Sequence, residues 1–290
     1  IKCNKSCFKK KQTIFHGKIR SGAYPLKSKK KFRVIKCLKC NLVKLSPFPK
    51  ISYETKQYRN LYNQGLKKKN YLKFSNVDQK PEFFSINRKL FSNKVVLDYG
   101  CGYGFFLDNI KKTAKKTLAI EPQKNFQDLI KSKGHQIVDH KLPDVKYLNS
   151  VDVVTSFGVI EHINNPLNYL KLAFKLLKKN GIFYVCTDNF EDILMQVNLK
   201  EFNEFYFRTA HSWYFNNSSL RNLLLKSGFK ILETRFIHNH GVNNFIHWLE
   251  NKKPLNDNKK KKSLLDKKWI KTLENSGRAE LILFKCNKKS

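Results

Sequence analysis

Between Val95 and Phe106 the chain reads VVLDYGCGYGFF, an apolar run closed by the acid Asp98 and followed by Gly100, Gly102 and Gly104. Alternate glycines allow a turn with positive φ and let a ligand approach backbone that carries no Cβ. The helix expected next has Phe105, Phe106, Leu107 and Ile110 as its apolar face. Its first amides point over the turn, where a negative group is favoured. Strand, tight turn and helix in this order describe a nucleotide-type ligand site. A second acid, Glu121, closes the strand-like stretch KTLAIEP from Lys116 to Pro122. An acid about 20 residues beyond the glycines suits the two hydroxyls of a ribose.

Acids, imidazoles and thiols recur elsewhere. The expected strand Val151 to Phe157, VDVVTSF, runs into GVIEHINNP, which sets Glu161 beside His162 before Pro166. Open α/β sheets bind ligands at the carboxyl ends of their strands, which places Phe157 and Gly158 against the ligand. His211 lies in the aromatic stretch EFNEFYFRTAHSWYF, with Tyr214 able to orient it. In the N-terminal segment Cys3, Cys7, Cys37 and Cys40 form two close pairs joined by a longer loop. That is the form of a zinc ribbon, in which thiolates from two knuckles give zinc four tetrahedral ligands and a structural role. The second pair, in KCLKCNLV, has the usual C-x-x-C spacing, whereas the first is one residue longer, and His16 is an alternative ligand.

An acid followed by G-x-G-x-G departs from the dinucleotide fingerprint, whose third glycine lies three positions after the second. It resembles motif I of the class I S-adenosylmethionine (SAM) dependent methyltransferases. Glu121, and the loop of Glu161, His162 and Pro166, are similar to the elements that follow in that family. The resemblance covers roughly Leu90 to His240. It implies a Rossmann-like α/β fold with a mostly parallel seven-stranded sheet and a final antiparallel strand. SAM is the implied cofactor, bound by Asp98, Gly100, Gly102, Gly104, Glu121, Asp139 and Phe157. Asp139 is included because an acid or amide near this point in the family often meets the adenine amino group. Methyl transfer is an in-line displacement that depends chiefly on alignment, and Tyr99, Tyr103 and Phe157 could steady the cation. For a hydroxyl acceptor, His162 is the first candidate base, because imidazole titrates near neutrality, and His211 is the second. Taken with the cysteine pair and the connector LSPFPKISYETKQYRNLY, the chain is loosely similar to bacterial methyltransferases with an N-terminal zinc segment tied to sugar or surface-polysaccharide modification.

Strands and helices alternate from Val95 onward, predicting a parallel sheet covered on both faces. The helix Lys124 to Lys133 stops at Gly134, Gln136 to Val138 is a short strand, and a helix from Leu167 to Lys179 ends by Gly181 before the strand GIFYVCT. The polar and aromatic stretch 188–216 is the expected substrate lid. An amphipathic helix from Asn216 to Ser227 takes Ser218 or Asn217 as its N-cap, and Phe229 to Ile237 with RAELILFKC gives the closing antiparallel pair. Residues Gln64 to Asn70 read as a solvated helix end, Phe83 and Phe84 as the opening of a cap, and the Lys259 to Lys262 run as a solvated connection. The expected division is 1–48 for the cysteine segment, 49–90 for a connector and cap, and 91–290 for the main domain. Cys101, Cys186 and Cys286 read as small buried residues.

The 290 residues carry a net charge of +36, and a basic surface is the footprint of phosphate binding. Only eight of the 58 basic residues are arginine, the side chain that reads phosphates and bases bidentately. The lysines are spread throughout and accompany many Asn, Ile and Phe, as the codon bias of an AT-rich genome would give; attraction to an acidic partner is the alternative. No apolar run of about 18 residues or a signal peptide's apolar stretch is seen, so a cytoplasmic location without a transmembrane segment is expected. The expected function is SAM-dependent methyl transfer, at oxygen, to a small-molecule or glycan acceptor such as a nucleotide-linked sugar. Charge and the cysteine pairs make a tRNA or rRNA methyltransferase the alternative, although GVIEHI stands where enzymes that methylate a base amine carry Asn/Asp-Pro-Pro-aromatic. A non-catalytic scaffold is a third reading, since fold does not fix function. The joint presence of Asp98, the glycines, Glu121 and the Glu161-His162 pair disfavours it.

Overall fold

A computed structural model describes residues 8–22, 24–55, 86–141, 143–255 and 262–288. Cys3, Cys7, the stretch 64–70, Phe83, Phe84 and Lys259 to Lys261 lie outside the described residues. The chain enters as an antiparallel meander of β1 (Lys11–Gly17), β2 (Phe32–Cys37) and β3 (Val43–Ser46). The turn between β2 and β3 is the C-x-x-C knuckle. Cys37 N–H donates to the Leu42 carbonyl at 2.9 Å, and Asn41 N–H to the Cys37 carbonyl at 3.0 Å. Asn41 closes the turn at φ 57°, a left-handed conformation that Asn tolerates better than most side chains.

From Val95 the alternation read in the sequence is realised. β4 (Val95–Tyr99), α1 (Phe105–Ile110), β5 (Lys116–Ile120), α2 (Lys124–Ser132), β6 (Gln136–Ile137) and β7 (Val151–Phe157) follow in turn. Next come α3 (Pro166–Leu176), β8 (Leu177–Asp188), α4 (Ile193–Val197), α5 (Lys200–Tyr206), β9 (Trp213–Tyr214) and α6 (Asn217–Lys226). The chain closes with β10 (Phe229–Ile237), α7 (Val242–Asn251), α8 (Leu264–Ser276) and β11 (Leu281–Lys288). The seven-stranded sheet has the order β10-β11-β8-β7-β4-β5-β6. Its central pairs are parallel, and β11 runs antiparallel to both neighbours.

Successive strand residues face opposite layers. Val96, Ala119 and Val153 pack with Phe106, Leu107 and Ile130 of α1 and α2, while Leu97, Leu118 and Val154 pack with Leu170 and Leu220 of α3 and α6. Burial on both faces is why these strands read as continuous apolar runs. Helix α3 stops three residues before the predicted end, because Leu177 is fully buried and enters the ladder opposite Val151.

Strand β9 does not join the large sheet. It pairs antiparallel with β3, Val43 opposite Tyr214 and Lys44 opposite Trp213, so the stretch expected as the lid completes the N-terminal sheet. A separate core joins Ile19, Val34 and Val43 to Phe202 and Phe207 of the lid and Trp248 of α7. Helix α6 is capped by Asn216, one residue before Asn217 and two before Ser218, the predicted caps. Asn216 Oδ1 accepts from Ser219 N–H at 2.9 Å, and Ser219 Oγ accepts from Asn216 N–H at 3.0 Å. This reciprocal pair satisfies two amides that have no partner within the helix. Asn216→Ala is therefore expected to lower unfolding free energy by about 1 kcal/mol, read from urea denaturation; an unchanged midpoint would show that the cap contributes nothing.

Candidate active site

Strands β4 and β5 end side by side, and their last acids meet at the glycine turn. Gly100 N–H and Cys101 N–H both donate to the Ile120 carbonyl, at 2.7 and 3.2 Å, which ties the turn to β5. Gly100, Gly102 and Gly104 all have positive φ, at 81°, 56° and 78°. At Gly100 space adds to conformation, since a Cβ there would lie 2.5 Å from Cγ2 of Val159.

Both acids are buried. Asp98 Oδ1 accepts from Thr155 Oγ1 at 2.8 Å. Burial, with a further push from the charge of Glu121, raises its pKa from 3.8 to about 7. The Glu121 carboxylate reaches back over the turn, with Oε2 accepting from Gly102 N–H and Oε1 from Gln123 N–H, each at 3.0 Å. Of the other residues expected around the ligand, Phe157 turns into the core against Phe106, ring centroids 5.3 Å apart. Tyr99 is buried against Tyr169 at 4.4 Å, and Tyr103 lies on Phe126 at 4.1 Å. Asp139 is exposed after β6, its Oδ1 accepting from Lys141 N–H at 2.7 Å.

The second cluster begins where Val159 packs on Gly100. The following 3-10 turn Ile160–His162 presents Glu161 and His162. Glu161 is buried, with Oε2 accepting from Thr187 Oγ1 at 2.9 Å. Burial and the nearby charge of Asp188 raise its pKa to about 8. His162 Nδ1 lies 3.0 Å from the Ala210 carbonyl and 3.2 Å from the Tyr53 hydroxyl, which itself donates to that carbonyl at 2.8 Å. A carbonyl only accepts, so the contact puts the proton on Nδ1 and leaves Nε2 with a lone pair.

His211, 49 positions from His162 in sequence, stands edge-on to it with ring centroids 4.7 Å apart. It is 2% exposed, and its buried Nδ1 lies 3.8 Å from Asp188 Oδ2 without a hydrogen bond. Burial first, and then the neighbouring His162, Arg208 and Arg20, hold its pKa well below the usual value. The structure thus brings both predicted imidazoles together and adds Glu161 as a third member. Tyr214 lies beside His211, ring centroids 5.9 Å apart, and its hydroxyl accepts from Arg208 N–H at 2.9 Å. Sequence reasoning passed over Tyr53, Thr155, Thr187 and Asp188. Of these, Asp188 carried a usable signal, as an acid at the carboxyl end of a central strand.

At the N-terminal knuckle Cys37 and Cys40 are both buried, and Lys39 N–H lies 3.4 Å from Cys37 Sγ. His16 is exposed and pairs with Arg33, four positions up the ladder from Cys37, or about 13 Å at the rise of a strand.

This arrangement, a Rossmann-like sheet with an acid-glycine turn and an antiparallel last strand, is a methyltransferase fold. A family model described as a methyltransferase domain matches residues 70–234, more than half of the chain, and the chain belongs to that family. The ubiquinone biosynthesis O-methyltransferase of Pelagibacter ubique is 29% identical over 107 residues, 35% of this chain and 45% of the relative. The tRNA U34 carboxymethyltransferase of Campylobacter jejuni is 26% identical over 151 residues, 49% of this chain and 51% of the relative. The chain spans about half the length of the curated relatives it matches. Among solved structures, a SAM-dependent methyltransferase from Archaeoglobus fulgidus superposes with a TM-score of 0.50 at 15% identity, covering 80% of this chain and 100% of its own.

The raised pKa of Asp98 has a consequence for stability. The folded chain holds a proton on it at pH values where the unfolded chain has lost one. Its contribution is therefore complete below 3.8 and is lost as pH rises through about 7. Asp98→Asn removes this dependence and is expected to flatten the stability slope across that window by up to about 1.4 kcal/mol per pH unit. Urea denaturation at a series of pH values checks it, and equal slopes in the two proteins would contradict it.

Proposed function

We propose that the chain is a SAM-dependent methyltransferase that acts at oxygen on a small-molecule or glycan acceptor. The observation that carries this reading is the buried pair of acids, Asp98 and Glu121, closed over a glycine turn beside the Glu161, His162 and His211 cluster. The chemistry of that donor set fits SAM and not a dinucleotide. A pyrophosphate would add negative charge next to two carboxyls whose burial is already unfavourable, whereas a ligand carrying a sulfonium and an ammonium relieves it. SAM, when bound, supplies a methyl group on a sulfonium that leaves readily.

The chain's own residues then divide the work. Glu121 accepts the ribose hydroxyls once its carboxylate leaves Gly102 N–H. Asp98 compensates the ligand's positive charge, and the glycines let the backbone come close. Asp139 lies at the edge for the adenine, and Phe157 supports the turn from below through Phe106. His162 takes the acceptor's proton on Nε2, with Tyr53 and the Ala210 carbonyl fixing its ring. His211 shapes the acceptor side of the pocket. The oxygen preference is supported by these two imidazoles and by the likeness to an enzyme named as a ubiquinone biosynthesis O-methyltransferase.

Cys3, Cys7, Cys37 and Cys40 hold a structural zinc ion in this reading, supported by the buried pair on the β2–β3 knuckle. A cytoplasmic setting belongs to the same reading. Among the described residues no helix is long and apolar enough to cross a membrane. RNA as acceptor is the second reading, favoured by the charge of +36 and by the likeness to a protein named as a tRNA carboxymethyltransferase.

Isothermal titration with SAM and S-adenosylhomocysteine tests the cofactor assignment. Binding to the wild-type protein is expected, with loss in Gly102→Asp, which puts an acid where Glu121 meets the turn. A folded wild-type protein that binds neither ligand would overturn the proposal in favour of the scaffold reading. Labelled-methyl transfer to nucleotide-sugars, phenols and RNA then separates the acceptor classes.

A further inference from the structure

The acceptor-side cluster has the composition of a metal site. Glu161, His162 and His211 each offer one ligating atom, and these atoms lie within 4.8 Å of one another. Two imidazoles and a carboxylate suit a divalent transition-metal ion, and three protein ligands leave positions open to an exchangeable group. His211 is an independent indication. Its Nδ1 is buried and has no hydrogen-bond partner, although a buried polar atom of this kind ordinarily finds one.

The surroundings are those of an oriented ligand set. Ligating histidines usually hold their second nitrogen on a carbonyl or carboxylate, and ligating carboxylates are themselves hydrogen-bonded. His162 rests its Nδ1 on the Ala210 carbonyl, and Glu161 accepts from Thr187 Oγ1. The three residues also belong to two elements tied together near the site, since Ser212 N–H donates to the Glu161 carbonyl at 2.8 Å. That tie sets His211 opposite the Glu161-His162 turn.

We propose that Glu161, His162 and His211 bind a divalent transition-metal ion whose open positions take the oxygen of the methyl acceptor. The second half of this statement rests on the methyltransferase reading. The ion holds the acceptor oxygen and lowers its pKa, and the acceptor's proton is released to solvent. In the metal-bound protein this release replaces the proton transfer to His162, which remains the base of the metal-free chain. Acceptors with two adjacent oxygens, such as vicinal diols or catechols, are the class best matched to two open positions.

Mn2+ is the probe, because thiolate sites such as the cysteine knuckle favour softer ions. Chelator-treated full-length protein is titrated with Mn2+, the free ion being followed by its EPR signal, while S-adenosylhomocysteine binding is measured on the same samples. A single Mn2+ per chain is expected in the wild type, lost in His211→Ala and in Glu161→Gln. Thr187→Val keeps all three ligands and should weaken Mn2+ by about 10-fold, which carries the test if the other variants do not fold. No uptake by folded wild-type protein, or uptake unchanged in Thr187→Val and in the folded ligand variants, overturns the proposal. Mn2+ uptake without S-adenosylhomocysteine binding would leave the metal site standing and overturn the methyltransferase reading instead.

Discussion

Two buried carboxyls at the ends of adjacent parallel strands are the constraint on which the rest of this structure depends. Asp98 is fixed by Thr155 from the neighbouring strand, and Glu121 by the amides of Gly102 and Gln123. Burying two acids this close is costly, and Asp98 answers by holding its proton up to about pH 7. The cost persists because the sheet leaves little alternative: the residues on both sides of Asp98, and the residue before Glu121, are locked in parallel ladders that pack on two cores. In the proposed reading a site of this kind is prepared for positive charge, which a passive surface would not need to be.

The cluster of Glu161, His162 and His211 is assembled differently, from parts far apart in sequence. Val159 fills the space above Gly100, so the glycine turn and the Glu161-His162 loop are set against each other directly. The lid then brings His211 alongside, and β9 anchors that lid to the N-terminal sheet rather than to the main one. Tyr53, from the segment after that sheet, reaches His162. The N-terminal sheet thus acts on the site without contributing a strand to the methyltransferase fold.

How much of this was legible follows from how local each signal is. Alternate glycines after an acid announce a turn with positive φ, because few other residues adopt it, and all three were found so. Strands buried on both faces show as apolar runs, and the closing antiparallel pair followed from FKILETRFI and RAELILFKC. Strand β9 was not legible because two residues carry no periodicity, and its partner β3 lies 169 positions earlier, counting Trp213 against Lys44. Helices α7 and α8 went unread because each buries only one large apolar side chain, Trp248 and Leu273, so their stripes are thin. His162 and His211 are legible as separate candidate bases from residue type, but their meeting is not. Their edge-on contact, and the membership of Glu161, depend on the lid's anchor and were beyond any local pattern.

Proton linkage to ligand binding tests the central claim most directly. SAM binding is measured calorimetrically in buffers of different ionisation enthalpy, just below the folded Asp98 pKa of about 7. If the buried acids await a cationic ligand, SAM drives Asp98 to ionise and protons are released, fewer of them with S-adenosylhomocysteine, whose sulfur is neutral. Binding of SAM with no proton release, or with proton uptake, would contradict the account.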